Sequence, residues 1–517
     1  LAREIIRAKI HNQRVMLTAS TGLMPGGWAV SVSGSRRWAE EGWYDGTFFD
    51  GYSYFLSVDK KFGDKHSLNL TFLGAPSTRG RNGDTFQEMY DLAGTTRYNP
   101  NWGYWNEEKR NASVNHSHQP IALLRYDWTP GVRTGMTLTA YGQAGERGQT
   151  RLDWFDNNNP FPDYYRRLPS TYPDSASQAA WAQMLRENET LRQIDWVNIY
   201  QGNTNGIDEQ TNANGVSGNT VTGNRSSTIL ADFREDSREL GFNGVIRHSL
   251  TDRVTLNGGG NYLWYEGQNF KIAQDLLGGD FIVDKNTFAD EGLQDNDIRT
   301  PNRIIREGDR FGWDYDENIR RAGGWAQAQF SLPRFTIFAG GEYNYLKFWR
   351  TGYMQNGRAV NNSLGESEKL SFNTWGAKAG IVFKANGRNY LYANGFYGTR
   401  PPQFRDVFLS PRTRNSVLAD PEVSEIKSVE GGYILRAPRV KARLTGYATQ
   451  FSNETEALIL FGQVANVFGT EVRRGVDHLH TGIEAAVEWK ATSALTFSAA
   501  TNLGYYRYNS RPLISFY

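Results

Sequence analysis

From Ser424 to Phe451 the chain alternates apolar and polar residues with a period of two. Val429, Gly431, Tyr433 and Leu435 fall on one side, and Glu430, Gly432, Ile434 and Arg436 on the other. The pattern breaks at Ala437-Pro438-Arg439 and restarts, with Val440, Ala442 and Leu444 opposite Lys441, Arg443 and Thr445. Extended backbone sends successive side chains to opposite faces, so this stretch predicts a β-hairpin with one apolar and one charged face. In a soluble sandwich the apolar face packs into a core. In a membrane barrel it meets lipid, and the charges line a lumen.

The same unit recurs. Short turns flanked by alternating segments stand at Met24-Pro25-Gly26-Gly27, Gly63-Asp64-Lys65, Pro130 to Gly135 and Thr251-Asp252-Arg253. Further ones stand at Leu332-Pro333-Arg334, Asn386-Gly387-Arg388, Ala437-Pro438-Arg439 and Thr492-Ser493-Ala494. Two strands per turn predicts about 16 strands, among them Tyr52 to Phe62, Thr137 to Tyr141, Val254 to Tyr262 and Leu495 to Tyr505. Many reach about ten residues, the length that crosses a bilayer at a tilt.

Between hairpins lie long, polar, aromatic-rich connections: Ala75 to Pro120, Gly148 to Arg225, Gly267 to Arg320, Arg350 to Leu370, Pro401 to Ser424 and Ser452 to His480. Short turns at one end and long loops at the other define an outer-membrane layout, with turns periplasmic and loops extracellular. The expected fold is therefore all-β: a transmembrane antiparallel up-and-down β-barrel, one domain over residues 1–517. Within the longest loop, helix formers follow Asp174, and Trp181 and Leu185 stand four apart, which predicts a helix. It is read as a brace for the loop, with direct ligand contact as the alternative.

Composition narrows the class. Mean hydropathy is −0.60 and the longest apolar run, Ala457 to Phe461, is far short of the roughly 20 residues of a membrane helix. A β-barrel needs only alternate residues apolar. The 54 glycines and 14% aromatic content suit crowded strands and aromatic girdles. With no cysteine, disulfides and thiolate metal sites are excluded. A net charge of +2 without a basic stripe argues against nucleic acid as a partner. Leu1 to Ile10 lacks the apolar stretch of a signal peptide, so the chain reads as mature or as a piece of something longer.

No nucleophile elbow, zinc-protease helix or phosphate loop occurs, so no enzyme and no cofactor is expected. His116 with His118 and His478 with His480 stand at i, i+2. They are read as solvated, with a metal or haem iron as the alternative. Asp295, Asp297, Glu307, Asp309, Asp314, Asp316 and Glu317 form acidic clusters without calcium-loop spacing. The aromatic loop Tyr98 to Trp105 is the leading ligand candidate, through Trp102, Tyr104 and Trp105. Flat rings there stack on a ligand or pack the loop itself. Trp154 and Phe155, between Asp153 and Asp156, pose the same choice.

Several stretches resemble the barrel domain of TonB-dependent outer-membrane receptors, in the branch with an N-terminal carboxypeptidase-regulatory-like domain. They are Leu418 to Leu435, Thr481-Gly482-Ile483-Glu484 after His478 and His480, Ser33 to Trp38, Asp50 to Phe55 and Leu73 to Pro76. Asn99 to Gly103, Asp163 to Ser170 and Ser410 to Thr413 are similar too. The resemblance implies about 22 strands in the full barrel, so some strands and a plug domain are expected outside this chain. It implies TonB-powered uptake of a scarce ligand, with outer-membrane lipid, lipopolysaccharide and the TonB complex as partners, the last through the plug. A surface lipoprotein or larger outer-membrane complex is a further expected partner. A plug-less porin, or a barrel subunit of an assembly or secretion complex, is the rival reading.

Overall fold

The computed structural model describes residues 12–287, 289–462 and 467–517. Leu1 to Ile10 lies outside the described residues. Sixteen long strands form one antiparallel wall. In order they are β1 (Gln13–Ser20), β2 (Trp28–Ala39), β3 (Phe49–Phe62), β4 (His66–Gly74), β5 (Ile121–Gly131), β6 (Thr134–Trp154), β7 (Thr228–Ser249) and β8 (Val254–Asp275). The second half comprises β9 (Arg310–Ser331), β10 (Phe335–Gly352), β11 (Leu370–Lys384), β12 (Asn389–Arg400), β13 (Ser424–Arg436), β14 (Val440–Gly462), β15 (Val467–Lys490) and β16 (Thr496–Tyr508). Each pairs with its sequence neighbours, and short segments extend β4, β5 and β16 upward. Among the described residues no pairing joins β1 to β16.

All eight predicted turns join the strand pairs expected of them. The strands themselves run further than the alternation shows. β6 continues to Trp154, and β14 and β15 carry the last long connection upward as a hairpin paired out to Gly462 and Val467. Above the bilayer both faces of a strand meet water or loops, so the apolar–polar contrast fades while backbone pairing persists.

Cross-strand register fixes which residues share a face. Tyr433, Leu444 and Ala485 are partners in one row, and Ile434, Arg443 and Ala486 in the row beside it. The first row faces outward, since Leu444 and Val429 are exposed large apolar residues. The second faces the lumen, where Arg443 donates to Tyr392 Oη. Trp28, Phe62, Trp128, Phe330, Phe335, Trp489 and Phe497 form an exposed ring near the short turns. Tyr262, Tyr343, Tyr345, Trp375 and Tyr505 form a second ring higher up. Val, Leu, Ile and Ala lie between. On β14 the outward residues Val440 to Ala448 span this band; eight steps of about 3.4 Å, tilted, give about 20 Å of height. This is the aromatic-bounded apolar belt of a membrane-spanning barrel, and among the described residues no helix is long and apolar enough to cross a membrane.

Above the belt the loops build cores of their own. Helix α1 (Ser175–Glu187) starts at Asp174, whose carboxylate accepts from Ser177 N at 2.8 Å. Leu185 buries against Met89, Leu92, Tyr98 and Leu168, and Trp181 Nε1 donates to Arg167 O. The helix therefore braces two loops. Helix α2 (Trp196–Thr204) places Trp196 in a second cluster with Ala112, Leu152, Ile194, Leu230 and Leu277. A third cluster seats Phe404, Val407 and Phe408 of the β12–β13 loop on the inward-facing Phe348 and Phe372.

Candidate functional site

A candidate ligand site lies where β6, β7, β8 and β9 leave the bilayer. A cavity of about 540 Å³ opens there beneath the long loops. Its aromatic walls are Trp154, Phe155, Phe233, Phe311 and Trp313. Basic groups ring it: Arg225, Lys271, Lys285 and Arg412.

A backbone irregularity aims the lysine. The β8–β9 register slips between Phe270 and Lys271, and a bulge of this kind re-directs side chains. Gly312, at φ 76°, stands opposite the slip, and a Cβ there would lie 2.7 Å from Lys271 Cε. The positive φ favours glycine there, and any larger residue would also displace the end of the Lys271 side chain. The Gly312 amide donates to the buried Asp284 carboxylate at 3.0 Å, which Asn296 also supports at 2.7 Å. Lys271 Nζ then reaches Asp153 at 2.6 Å and lies 4.1 Å from the Phe311 ring centre and 4.8 Å from that of Trp313.

Most charges at the cavity are matched. Arg225 pairs with Asp208 at 3.4 Å and Lys285 with Asp295 at 2.7 Å. Arg412 differs: its guanidinium rests 4.3 Å from the Trp313 ring centre and has no carboxylate within ion-pair distance among the described residues. Arg151 adds to the positive field at Arg412, and its own pKa is lowered by burial and by that neighbour. The cavity thus offers flat apolar surfaces beside an unneutralised guanidinium, a combination that takes a ring or apolar face joined to an anionic group.

No family model matches the chain, and no curated protein matches it. Solved structures do. The copper transporter OprC matches 96% of this chain over 61% of its own length, with TM-score 0.59 and 10% identity. The ferric citrate transporter FecA in its unliganded form matches 97% over 58%, with TM-score 0.61 and 10% identity. The FrpB iron transporter from Neisseria meningitidis matches 98% over 64%, with TM-score 0.56 and 13% identity. The fold is the barrel of TonB-dependent receptors. The chain spans about three fifths of the length of these structures.

Within this barrel the sequence-read candidates part company. Trp154 and Phe155 line the cavity. Trp102, Tyr104 and Trp105 lie on a separate loop hairpin. Trp102 is buried and packs edge-on to Tyr104, which is exposed, while Trp105 stacks on Tyr200 of α2 with ring centres 3.9 Å apart. Sequence reading missed Phe233, Lys271, Phe311, Trp313 and Arg412. The aromatic–glycine–aromatic run Phe311-Gly312-Trp313 was a usable signal, because it interrupts strand alternation where the bulge falls.

The histidines and acids are engaged with neighbours. His116 Nε2 meets Asp232 at 2.9 Å, which raises its pKa, and His118 meets Tyr54 Oη at 2.9 Å. His478 lies 3.4 Å from Glu454 and stacks on His480. Asp297 pairs with Arg299, Asp314 with Arg310, and Asp316 accepts from Tyr353. Among the described residues no three His, Asp or Glu side chains are grouped to hold a metal.

Glu317, on the lumen face above the belt, titrates unusually. Burial first, and the nearby Glu235 second, push its carboxyl from 4.5 to about 7. The folded protein therefore keeps a proton that the unfolded chain releases at lower pH, so stability falls as pH rises from about 4.5 to about 7. Thermal unfolding in detergent should show a midpoint declining across that window, and Glu317→Gln should flatten the decline. An unchanged slope in the variant would assign it to other groups.

Proposed function

We propose that this chain is the wall and mouth of an outer-membrane receptor that imports a scarce ligand, powered by TonB through a plug domain outside residues 1–517. The observation that carries the reading is the cavity itself: strands of a TonB-dependent receptor barrel deliver aromatic and basic side chains to one recess under packed extracellular loops. Arg412 over Trp313 favours a ligand with an anionic group next to a ring or apolar face. Ferric citrate, named for one structural neighbour, is an anionic chelate and matches the charged half of that description only. The broad loop surface would also seat a surface lipoprotein or a larger outer-membrane complex.

Depletion of solutes from spent medium tests this. Cells carrying the full-length receptor should deplete at least one anionic solute more than tenfold faster than cells carrying Trp313→Ala/Arg412→Ala, with equal amounts of heat-modifiable barrel in the membrane. Disrupting TonB should slow the same solute equally. Depletion that survives loss of TonB would favour the passive porin instead.

A further inference from the structure

Near the upper end of β10 the chain buries a positive charge without a counter-charge. Arg350 is 2% exposed, and no carboxylate lies within ion-pair distance of it among the described residues. Glu317 is its direct register partner on β9, yet the two form no ion pair. The guanidinium is spent on the loops instead. Nε donates to Pro411 O at 2.6 Å, and Nη1 donates to Ser363 O at 2.9 Å and to Asn415 Oδ1. The group lies 5.0 Å from the Tyr315 ring centre. Burial lowers its pKa to about 10, so it is still a cation at neutral pH.

A planar fork of donors suits this place, because its acceptors come from two loops. Ser363 belongs to the β10–β11 loop, and Pro411 and Asn415 to the β12–β13 loop. Gly352, two residues on in the same strand, makes the room: any Cβ there would collide with Ser363 O and Arg350 Nη1.

The Pro411 carbonyl belongs to the peptide bond that leads into Arg412, whose guanidinium rests over Trp313 at the cavity. The β12–β13 loop is closed at its neck, where Leu418 N donates to Val407 O at 2.8 Å and Thr470 Oγ1 donates to Leu409 O at 2.9 Å. Beyond the neck comes a turn in which Thr413 N and Arg414 N both donate to Ser410 O at 3.0 Å. Arg412 stands exposed in that turn. Arg350 and Arg412 therefore sit over Tyr315 and Trp313, rings two residues apart on β9, and the Pro411 carbonyl links one arginine to the other.

We infer that Arg350 is the positioning residue for anion capture: its hold on the Pro411 carbonyl keeps the Arg412 guanidinium over Trp313 and open to the cavity. The inference rests on the proposed reading of that cavity as the ligand site. An arginine that merely joined the two loops would matter equally with or without Arg412. A positioning residue matters only through the group it places, and a double-mutant cycle separates the two cases. Lysine at position 350 keeps the charge, but a compact ammonium on a flexible stem does not reproduce the rigid fork. Charge and placement are thereby separable.

The test uses the full-length receptor in mild detergent and pyrenetetrasulfonate, a fluorescent ring bearing anionic groups, with binding read by fluorescence anisotropy. Arg412→Ala should weaken binding about tenfold and Arg350→Lys about fivefold, while adding Arg350→Lys to Arg412→Ala should weaken it no further. A nitroxide on Arg412→Cys, specific because residues 1–517 hold no other cysteine, should be immobilised, and Arg350→Lys should free it. Heat-modifiable mobility checks that each variant is a barrel. Should Arg350→Lys not assemble, Asn415→Ala, which removes one acceptor of the fork, is read in its place. Equal losses from Arg350→Lys in both backgrounds, or an unchanged nitroxide spectrum, would overturn the inference. Full-strength binding by Arg350→Lys while Arg412→Ala binds weakly would overturn it and leave the cavity reading standing. No binding by wild type, or undiminished binding by Arg412→Ala, would instead overturn the cavity reading, and the inference with it.

Discussion

Leu444→Lys should destabilise the barrel by about 2–4 kcal/mol, the cost of a charge near the bilayer midplane on the lipid face. Leu444 is half exposed and lies midway between the rings. Val440, partnered by Trp489, is below it, and Ala448, partnered by Thr481 and through it Tyr505, is above. Its immediate neighbours Arg443 and Thr445 point into the lumen. A charge is already tolerated there, because water and side chains solvate it. Arg443→Gln should therefore cost far less than Leu444→Lys, its main loss being the hydrogen bonds to Tyr392 Oη. Lys441→Gln gives up an exposed pair with Glu488, which contributes little. Urea titration of heat-modifiable mobility in lipid vesicles compares the three. Equal damage at positions 443 and 444 would falsify the assignment of faces.

Trp196→Ala should cost about 3–5 kcal/mol, the usual range for emptying a large buried aromatic site, but the loss should appear in the loops. Trp196 is fully buried between Ala112, Leu152, Ile194, Leu230 and Leu277. Its ring also carries Arg110, whose guanidinium lies 4.5 Å from the ring centre, and that arginine pairs with Asp275 at 2.6 Å on top of β8. Removing the indole therefore loosens α2, the loop hairpin of Trp102 and Trp105, and the upper end of β8 together. Hydrogen exchange should quicken across residues 102–111 and 196–204, while the membrane belt keeps its protection and its heat-modifiable shift. Loss of protection throughout the wall would mean that loops and belt unfold as one unit.

How much of this was legible beforehand follows from where water sits. Inside the bilayer each strand has one oily and one wet side, so Val429 to Leu435 and Val440 to Leu444 announced both the hairpin and its faces. All eight short turns were legible for the same reason, since each interrupts a strong alternation. Above the belt that contrast vanishes, so β6 from Gly148 to Trp154 and the extensions of β14 and β15 read as loop although backbone pairing continues. The cavity was half legible. Trp154 and Phe155 stand next to each other among aspartates and invite notice. Lys271, Trp313 and Arg412 come from β8, β9 and the β12–β13 loop, and only folding brings them to one place. Trp102 and Trp105 looked equally available in sequence, yet one is buried and the other is stacked on Tyr200. A tryptophan-rich loop serves its own packing as readily as a ligand.

The separately packed clusters around Leu185, Trp196 and Phe348 also bear on how quickly the mouth works. A roof that has already surrendered its conformational freedom need not do so again when a guest arrives. Capture should then proceed at nearly the rate of diffusive encounter, with little ordering penalty, and residence time rather than arrival would separate good ligands from poor ones.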